Sequence, residues 1–184
     1  MPRLFSGLEI PHEVAERLVS LRGGLDGARW VEPENYHITL RFVGDVDGAT
    51  AERFSEALGK IRSDPFTLTL NGLGSFGRGR PRSVWAGLAP SDALMALARA
   101  HEQAALSAGK EPESRNYHAH VTLARMRNGK AADVARYLSH NGAVLSQSFP
   151  VTRFVLFSAR ASKGGGPYVI ERAYPLGQSG EQCA

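Results

Sequence analysis

A four-residue pattern occurs twice in this chain, and the spacing of the two copies is the strongest constraint on its fold. His37-Ile38-Thr39-Leu40 returns as His120-Val121-Thr122-Leu123, 83 residues further on. The same offset relates two aromatic pairs outside the pattern: Phe54 and Tyr137, and Phe66 and Phe149. Self-similarity at a fixed spacing indicates repeated copies of one supersecondary unit. The sequence therefore predicts two related halves.

Hydrophobic periodicity predicts the same order of elements in both halves. The expected strands are 3–10, 37–43, 66–70, 83–88, 119–125, 152–158 and 168–174, with a short extended piece at 30–31. The expected helices are 11–25, 50–62, 91–108 and 131–139. We infer an α+β fold of two β-α-β-α-β lobes, each an antiparallel sheet covered by helices, related by a pseudo-twofold axis and facing each other across a central cleft. Because no Pro/Ser-rich linker separates the halves, residues 1–184 are expected to form a single domain.

Composition limits the classes of protein to consider. A chain of 184 residues fits one domain. The single cysteine, Cys183, can form no internal disulfide, and no apolar run approaches the ~20 residues that span a bilayer. We therefore expect a cytoplasmic monomer that makes no membrane contact. The 18 arginines against 4 lysines suit phosphate binding, although a G/C-rich genome would produce the same excess.

The repeated pattern places the same chemical groups on one face of each strand. Residues two apart in a strand point the same way, so His37 and Thr39 share a face, as do His120 and Thr122. If the lobes are related by a twofold axis, two imidazoles and two hydroxyls meet in the cleft. One imidazole can then remove a proton while the other donates one, and hydroxyls can bind phosphoryl oxygens. His118 shares the face of His120 and is expected to flank the site.

A metal site is the competing interpretation of these histidines. His37, His118 and His120 have the ligand chemistry for zinc. However, no carboxylate or cysteine recurs beside the two motifs, so we expect acid–base chemistry without metal.

A loop rich in glycine and arginine, 71–82, separates the halves. Its Gly72-x-Gly74-x-x-Gly77 spacing is typical of dinucleotide binding, but the loop leads into a strand and not into the helix that such binding requires. We interpret it, like the segment 162–166, as a turn. Cations beside an aromatic ring can also bind single-stranded nucleic acid. The candidates for that role are Phe76, Arg78, Arg80 and Arg82, and a merely solvated loop is the alternative.

Two longer segments carry a family resemblance. NYHITLRFVGDV (35–46) and YHAHVTLAR (117–125) resemble the two motifs of the two-histidine (2H) phosphoesterase superfamily, in its branch of RNA 2′,3′-cyclic phosphodiesterases, long called 2′-5′ RNA ligases. The opening RLFSGLEIP and the segment PRSVWAGL are also similar to that branch, so the resemblance covers essentially the whole chain. It implies a bilobal α+β fold and a hydrolase that converts RNA 2′,3′-cyclic phosphodiester ends into 2′-phosphomonoesters without metal or cofactor.

The resemblance also implies individual roles. His37 would be the proton donor and His120 the proton acceptor, an assignment that the near-symmetric motifs cannot make by themselves. The residues implied to bind the phosphate or substrate are Thr39, Thr122, Arg125 and Phe42. Strand alternation alone turns Arg125 away from His120, so its phosphate contact requires the strand to end or twist near Ala124.

Two alternatives from other functional classes stay open at this point. One is ATP-independent, reversible 2′-5′ RNA ligation in tRNA processing. The other is a non-catalytic RNA-binding module, against which the intact motifs argue. The expected partner is RNA with a 2′,3′-cyclic phosphate end or a small cyclic nucleotide.

Overall fold

The structure, a computed structural model, describes residues 2–159 and 166–177. Within them the strands are β1 (Arg3–Glu9), β2 (Ala28–Trp30), β3 (His37–Asp45), β4 (Phe66–Phe76), β5 (Ser83–Leu88), β6 (His120–Met126), β7 (Ser146–Val151), β8 (Arg153–Ala159) and β9 (Tyr168–Pro175). The α-helices of this part are α1 (His12–Val19), α2 (Gly48–Gly59), α3 (Asp92–Ser107) and α4 (Ala131–Asn141). Positions 162–165 of the predicted turn, and Cys183, lie outside the described residues. No helix in the described ranges has the length and apolar character needed to cross a membrane.

Local chemistry explains where several helices begin and end. The Asp47 carboxylate accepts a hydrogen bond from the Thr50 amide at 2.7 Å, and the Ser91 hydroxyl accepts one from the Leu94 amide at 3.2 Å. These caps satisfy free amides in the first turns of α2 and α3. Helix α1 ends at Val19, earlier than the predicted residue 25: the amides of Leu21 and Arg22 bond to carbonyls three residues back, and positive φ angles at the glycines 23 and 24 then exclude a further helical turn.

The strand β4 corrects the predicted loop at 71–82, because its second half, 71–76, pairs with β5. A Cβ atom built on Gly74 would lie 2.2 Å from the Trp85 indole, so glycine permits the close approach of that ring. The true turn is 77–82, and it leads into β5 and not into a helix. The prediction that this glycine pattern leads into a strand is therefore confirmed.

Among the described residues, all strands belong to one antiparallel sheet. Its order is β7-β4-β5-β6-β3-β1-β8-β9, and β2 pairs with the far end of β6. The strands that carry the two motifs, β3 and β6, meet at the centre through the single registered pair Ile38 and Val121. These two residues are related by the repeat offset, so the pseudo-twofold axis passes between them. The predicted bilobal α+β fold is confirmed.

The lobes are not the two contiguous halves of the chain. Strand β4 follows α2 of the first repeat but pairs with β5 of the second, and β8 follows α4 of the second repeat but pairs with β1. Strand β7, which the sequence did not predict, adds to β4 as an edge strand, where Pro150 is tolerated. Each repeat therefore gives its last strand to the other lobe.

The helices follow the same exchange. Helix α3 of the second repeat packs on β3 and α2 of the first, and the Tyr137 hydroxyl of α4 donates a hydrogen bond to the carbonyl of Leu21, just after α1. One cluster of buried apolar side chains contains residues of both lobes, including Ile38 and Val121. These contacts support the prediction of a single domain.

A histidine lies in this core. His101 of α3 is fully buried against the Phe154 ring, and its Nδ1 atom shares a hydrogen bond of 2.7 Å with the Ser6 hydroxyl of β1. Burial lowers the pKa of His101 to about 3, because a charged ring loses its hydration there. His101 is therefore a neutral core residue that joins α3 to the sheet.

Candidate active site

The central strand pair brings the two motifs together. Ile38 and Val121 are fully buried and face the helices, so their neighbours along each strand face the opposite side. The antiparallel register sets His37 opposite Thr122 and Thr39 opposite His120. The two histidines thus occupy diagonal positions, which are about 7–8 Å apart in an antiparallel pair. That spacing leaves room for a phosphate group between two imidazoles.

The two imidazoles are held in the same way. The His37 Nδ1–H donates to the Asn35 carbonyl at 2.7 Å, and the His120 Nδ1–H donates to the His118 carbonyl at 2.7 Å. Because a carbonyl only accepts, Nδ1 must carry the proton in both rings. Asn35 and His118 are themselves 83 residues apart. Each Nε2 is therefore left to take a proton from a reactant, or to give one.

Burial gives the two histidines different proton affinities. The pKa of His37 is lowered to about 4, mainly because burial removes the hydration of the charged ring; the bond to Asn35 opposes this shift, and the positive charges of Arg125 and of a protonated His120 add to it. Its ring lies at centroid distances of 4.9, 5.8 and 5.0 Å from three aromatic rings: Phe5, Phe157 and Tyr168. Burial also lowers the pKa of His120. Both rings are neutral in the free protein at pH 7.

A second aromatic group surrounds His120. Its ring centroid lies 4.9 Å from that of Phe76 and 5.9 Å from that of Trp85. His118 packs edge-on against Trp85 at 4.7 Å and lies 6.1 Å from His120. The structure thus places His118 beside His120, where the sequence predicted it. Its carbonyl orients His120 and its ring helps to form the wall around it.

A pair of β-bulges turns Phe42 and Arg125 toward the cleft. Between β1 and β3, Leu40 is an extra residue in the register, and between β5 and β6 the extra residue is Leu123. After each bulge the alternation of faces is reversed. Arg125 therefore shares the face of His120, which is the change of strand direction that its predicted phosphate contact required. Phe42 occupies the equivalent position in the first lobe.

These side chains border a cleft of about 780 Å³ between the lobes. The predicted site residues that line it are Thr39, Phe42, Phe76, Arg82, His118, His120 and Arg125. His37 and Thr122 lie beside this lining on the same face of the central strands, and His37 is partly covered by its aromatic neighbours. The charge of Arg125 is nevertheless close enough to lower the pKa of His37, as is that of His120 when it is protonated. The structure thus brings the two motifs and the predicted phosphate-binding arginine together.

The three arginines of the 77–82 turn take different places. Arg82 lines the cleft. Arg78 and Arg80 are exposed beyond it, and the Arg80 guanidinium donates to the side-chain oxygen of Asn128 at 3.2 Å. A role of Arg78 and Arg80 in RNA binding stays a prediction.

Several residues of the site were not predicted. Trp85 and the three aromatic residues around His37 belong to strands that the sequence identified only as core. Tyr117 donates a hydrogen bond from its hydroxyl to the Thr39 carbonyl at 3.0 Å and so fixes the first motif to the entrance of the second. The sequence did contain a signal for the roles of Asn35 and His118, because each of them precedes a motif histidine by two residues.

Metal ligands are not clustered at the site. Among residues 2–159 and 166–177, no group of three or more His, Cys, Asp or Glu side chains could hold a metal ion. Metal-independent chemistry stays a prediction.

Two central strands that each present a histidine and a threonine to one cleft, in a pseudo-symmetric α+β fold, define a two-histidine phosphoesterase. The family model described as LigT like Phosphoesterase matches residues 8–85 and 88–168, one motif in each segment. The chain belongs to the LigT-like phosphoesterase family.

Individual relatives agree with this placement. The RNA 2′,3′-cyclic phosphodiesterase of Aeropyrum pernix is 42% identical over 102 residues, and that of Geobacillus stearothermophilus is 37% identical over 160 residues. These alignments cover 54% and 83% of this chain, and the chain spans 58% and 50% of the two relatives. The crystal structure of E. coli LigT complexed with 3′-AMP matches with a TM-score of 0.78 and 28% identity, covering 97% of this chain and 100% of that chain.

Proposed function

We propose that this protein hydrolyses the 2′,3′-cyclic phosphate ends of RNA to 2′-phosphomonoesters by general acid–base catalysis. The observation that carries the proposal is the matched pair His37 and His120, each with Nδ1–H bound to a carbonyl and Nε2 left for a reactant. The names of the relatives support the reaction, and the 3′-AMP bound to E. coli LigT supports a nucleotide ligand.

The reaction needs one proton taken and one given. His120 Nε2 removes a proton from water, and the resulting hydroxide attacks phosphorus in line with the 3′ oxygen. The bond from phosphorus to the 3′ oxygen breaks, and His37 Nε2–H protonates that oxygen to give a 3′ hydroxyl. The phosphate stays on the 2′ oxygen. The choice of His37 as donor follows the family resemblance.

Three groups hold the charge on phosphorus. The hydroxyls of Thr39 and Thr122 face the same side as the histidines, and Arg125 lines the cleft with no side-chain partner among the described residues. Donors already in place when charge develops stabilise the transition state without reorganisation. The bound phosphodiester anion also raises the pKa of the nearby imidazoles. The bound anion therefore favours the protonated form of His37, which takes its proton from the solvent.

The pH dependence of the reaction follows from these pKa shifts. The reaction requires that one of the two histidines is protonated while the other is neutral. Raising the pH removes the proton from the first. Because burial lowers both pKa values below 6.5, kcat/KM is expected to fall with rising pH from a point below pH 6.5, by about tenfold per pH unit. The fall in kcat is expected at higher pH, since the substrate anion favours the protonated form. Steady-state rates measured between pH 4 and 9 give the pH dependence of both kcat/KM and kcat. A kcat/KM that is still level at pH 7.5 contradicts the mechanism.

Product analysis tests the function itself. The protein is treated with a chelator and incubated with an RNA oligonucleotide that ends in a 2′,3′-cyclic phosphate, and the products are identified by ³¹P NMR. We expect a 2′-phosphomonoester and undiminished activity after chelation. A 3′-phosphomonoester contradicts the assignment of the leaving oxygen, and activity lost on chelation and restored by metal contradicts the metal-free mechanism. A parallel sample with added 5′-hydroxyl RNA tests the ligase alternative, which requires a joined product.

A further inference from the structure

An apolar surface is exposed in the cleft where β3 and α3 form its wall. Among the described residues, the exposed large hydrophobic side chains include Phe42, 43% exposed, and Met95, 38% exposed, and both line the cleft. Phe42 projects from β3 after the bulge, and Met95 lies on α3, which packs against β3. Exposed apolar side chains that share a cleft mark a ligand-contact surface. The reaction at phosphorus does not use them.

A cation lies one helical turn beyond this surface. Arg99 follows Met95 by four residues on α3, so the two share a face of the helix. Arg99 lines the cleft, and its guanidinium has no ion-pair partner in the described part of the chain. It is therefore available to an anionic ligand.

The acidic residues nearby do not oppose such a ligand strongly. Glu102 lies 2.5 Å from Arg41, and Glu113 lies 3.8 Å from Arg41 and 3.2 Å from Arg115. Their charges are thus compensated within the wall of the cleft. The positive charge of Arg99, next to Met95 on α3, is not compensated in this way, and the Arg3 guanidinium lies 5.5 Å from the Phe42 ring centroid.

The direction of an RNA chain indicates which nucleotide would lie beside Phe42, Met95 and Arg99. A cyclic phosphate is the 3′ end of the chain, so the rest of the RNA leaves the terminal ribose from its 5′ oxygen. The preceding nucleotide brings one phosphodiester anion and one flat base whose ring faces can stack. One cation beside apolar side chains matches that pair of groups, since bases stack on such surfaces and arginine binds phosphate.

We propose that Phe42, Met95 and Arg99 form a second subsite, which binds the nucleotide preceding the cyclic end and makes an oligonucleotide a better substrate than a mononucleotide. This inference rests on the proposed function. It assigns the arginine of α3, and not the exposed Arg78 and Arg80, to the RNA chain.

A comparison of two substrates distinguishes binding at this subsite from catalysis at the histidines. One is a nucleoside 2′,3′-cyclic phosphate, and the other is a trinucleotide that ends in the same nucleoside cyclic phosphate. For the unmodified protein we expect kcat/KM to be higher with the trinucleotide. Arg99→Ala is expected to lower the ratio of the two kcat/KM values by about tenfold and to reduce the salt dependence of trinucleotide binding by about 0.7 in log–log slope. Adding Met95→Ala is expected to lower the ratio further.

Arg136→Ala is the matched control. Arg136 is an exposed arginine on α4, paired with Asp133 at 3.5 Å and outside the cleft lining, so its removal makes the same change of charge and is expected to leave the ratio unaltered. Equal kcat/KM for both substrates in the unmodified protein, or an Arg99→Ala variant with an unaltered ratio, overturns the subsite while the proposed function stands. Failure to hydrolyse either substrate overturns both.

Discussion

Replacing His37 or His120 by alanine is expected to lower kcat for a cyclic phosphate substrate by about 10²–10⁴-fold, because each imidazole transfers a proton that water transfers poorly. The His37→Ala/His120→Ala double variant is expected to be little slower than either single variant. The two histidines act in one concerted step, and groups that act as a unit have non-additive effects. Single-turnover rates with the same RNA substrate measure all three.

The control for this experiment is His12→Ala. His12 lies at the start of α1 with its side chain 86% exposed, so its loss removes a histidine without touching the cleft. Thermal unfolding of each variant shows whether the fold is retained, which matters most for His37 among its aromatic neighbours. Turnover close to that of the unmodified protein in either motif variant would refute the proposed mechanism.

Replacing Arg41 by methionine is expected to lower the free energy of unfolding by about 3 kcal/mol, because it leaves a partner charge uncompensated. Arg41 is only 8% exposed. Its guanidinium contacts the Glu102 carboxylate at 2.5 Å and donates to the carbonyls of Phe42 at 2.8 Å and Glu111 at 2.6 Å. One side chain thus ties β3 to α3 and to the segment that leads to His118. Urea unfolding, followed by circular dichroism, measures the loss.

A second substitution separates the charge from the packing. In Arg41→Met/Glu102→Gln the unpaired carboxylate is gone, while the glutamine oxygen can still accept the hydrogen bond that Glu102 takes from the Glu113 amide at 3.0 Å. We expect this double variant to regain a substantial part of the lost stability. A double variant no more stable than Arg41→Met would show that the arginine acts through its carbonyl contacts alone.

The repeat made the centre of the site predictable. Two H-x-T motifs at equivalent positions had to lie on equivalent strands, and alternation put each histidine and threonine on one face. The pairing of Ile38 with Val121 satisfies both requirements. The position of Arg125 was not predictable in this way. Its orientation depends on a bulge that arises from pairing with β5, where its registered partner is Ser83, 42 residues earlier in the sequence.

The exchange of strands between the lobes could not be predicted from the sequence pattern either. Periodicity identifies β4 and β8 as strands but does not say which sheet edge each one joins, and the connections before them permit either lobe. Arg99 shows a related limit. On a helix with an apolar face, an exposed arginine has the pattern of an ordinary surface residue, and only the packing of α3 against β3 places it at the cleft.

The exchange has a consequence for how such a site could arise. A chain of half this length, with one motif, would have to assemble with a second copy and give that copy its last strand. Every residue would then occur twice around the site, as symmetry requires. Joining the copies into one polypeptide frees the equivalent positions to differ. Phe42 and Arg125 have already done so, and the two histidines lie in unlike aromatic surroundings. A single polypeptide thus permits one imidazole to act as the acid and the other as the base, as the proposed mechanism requires.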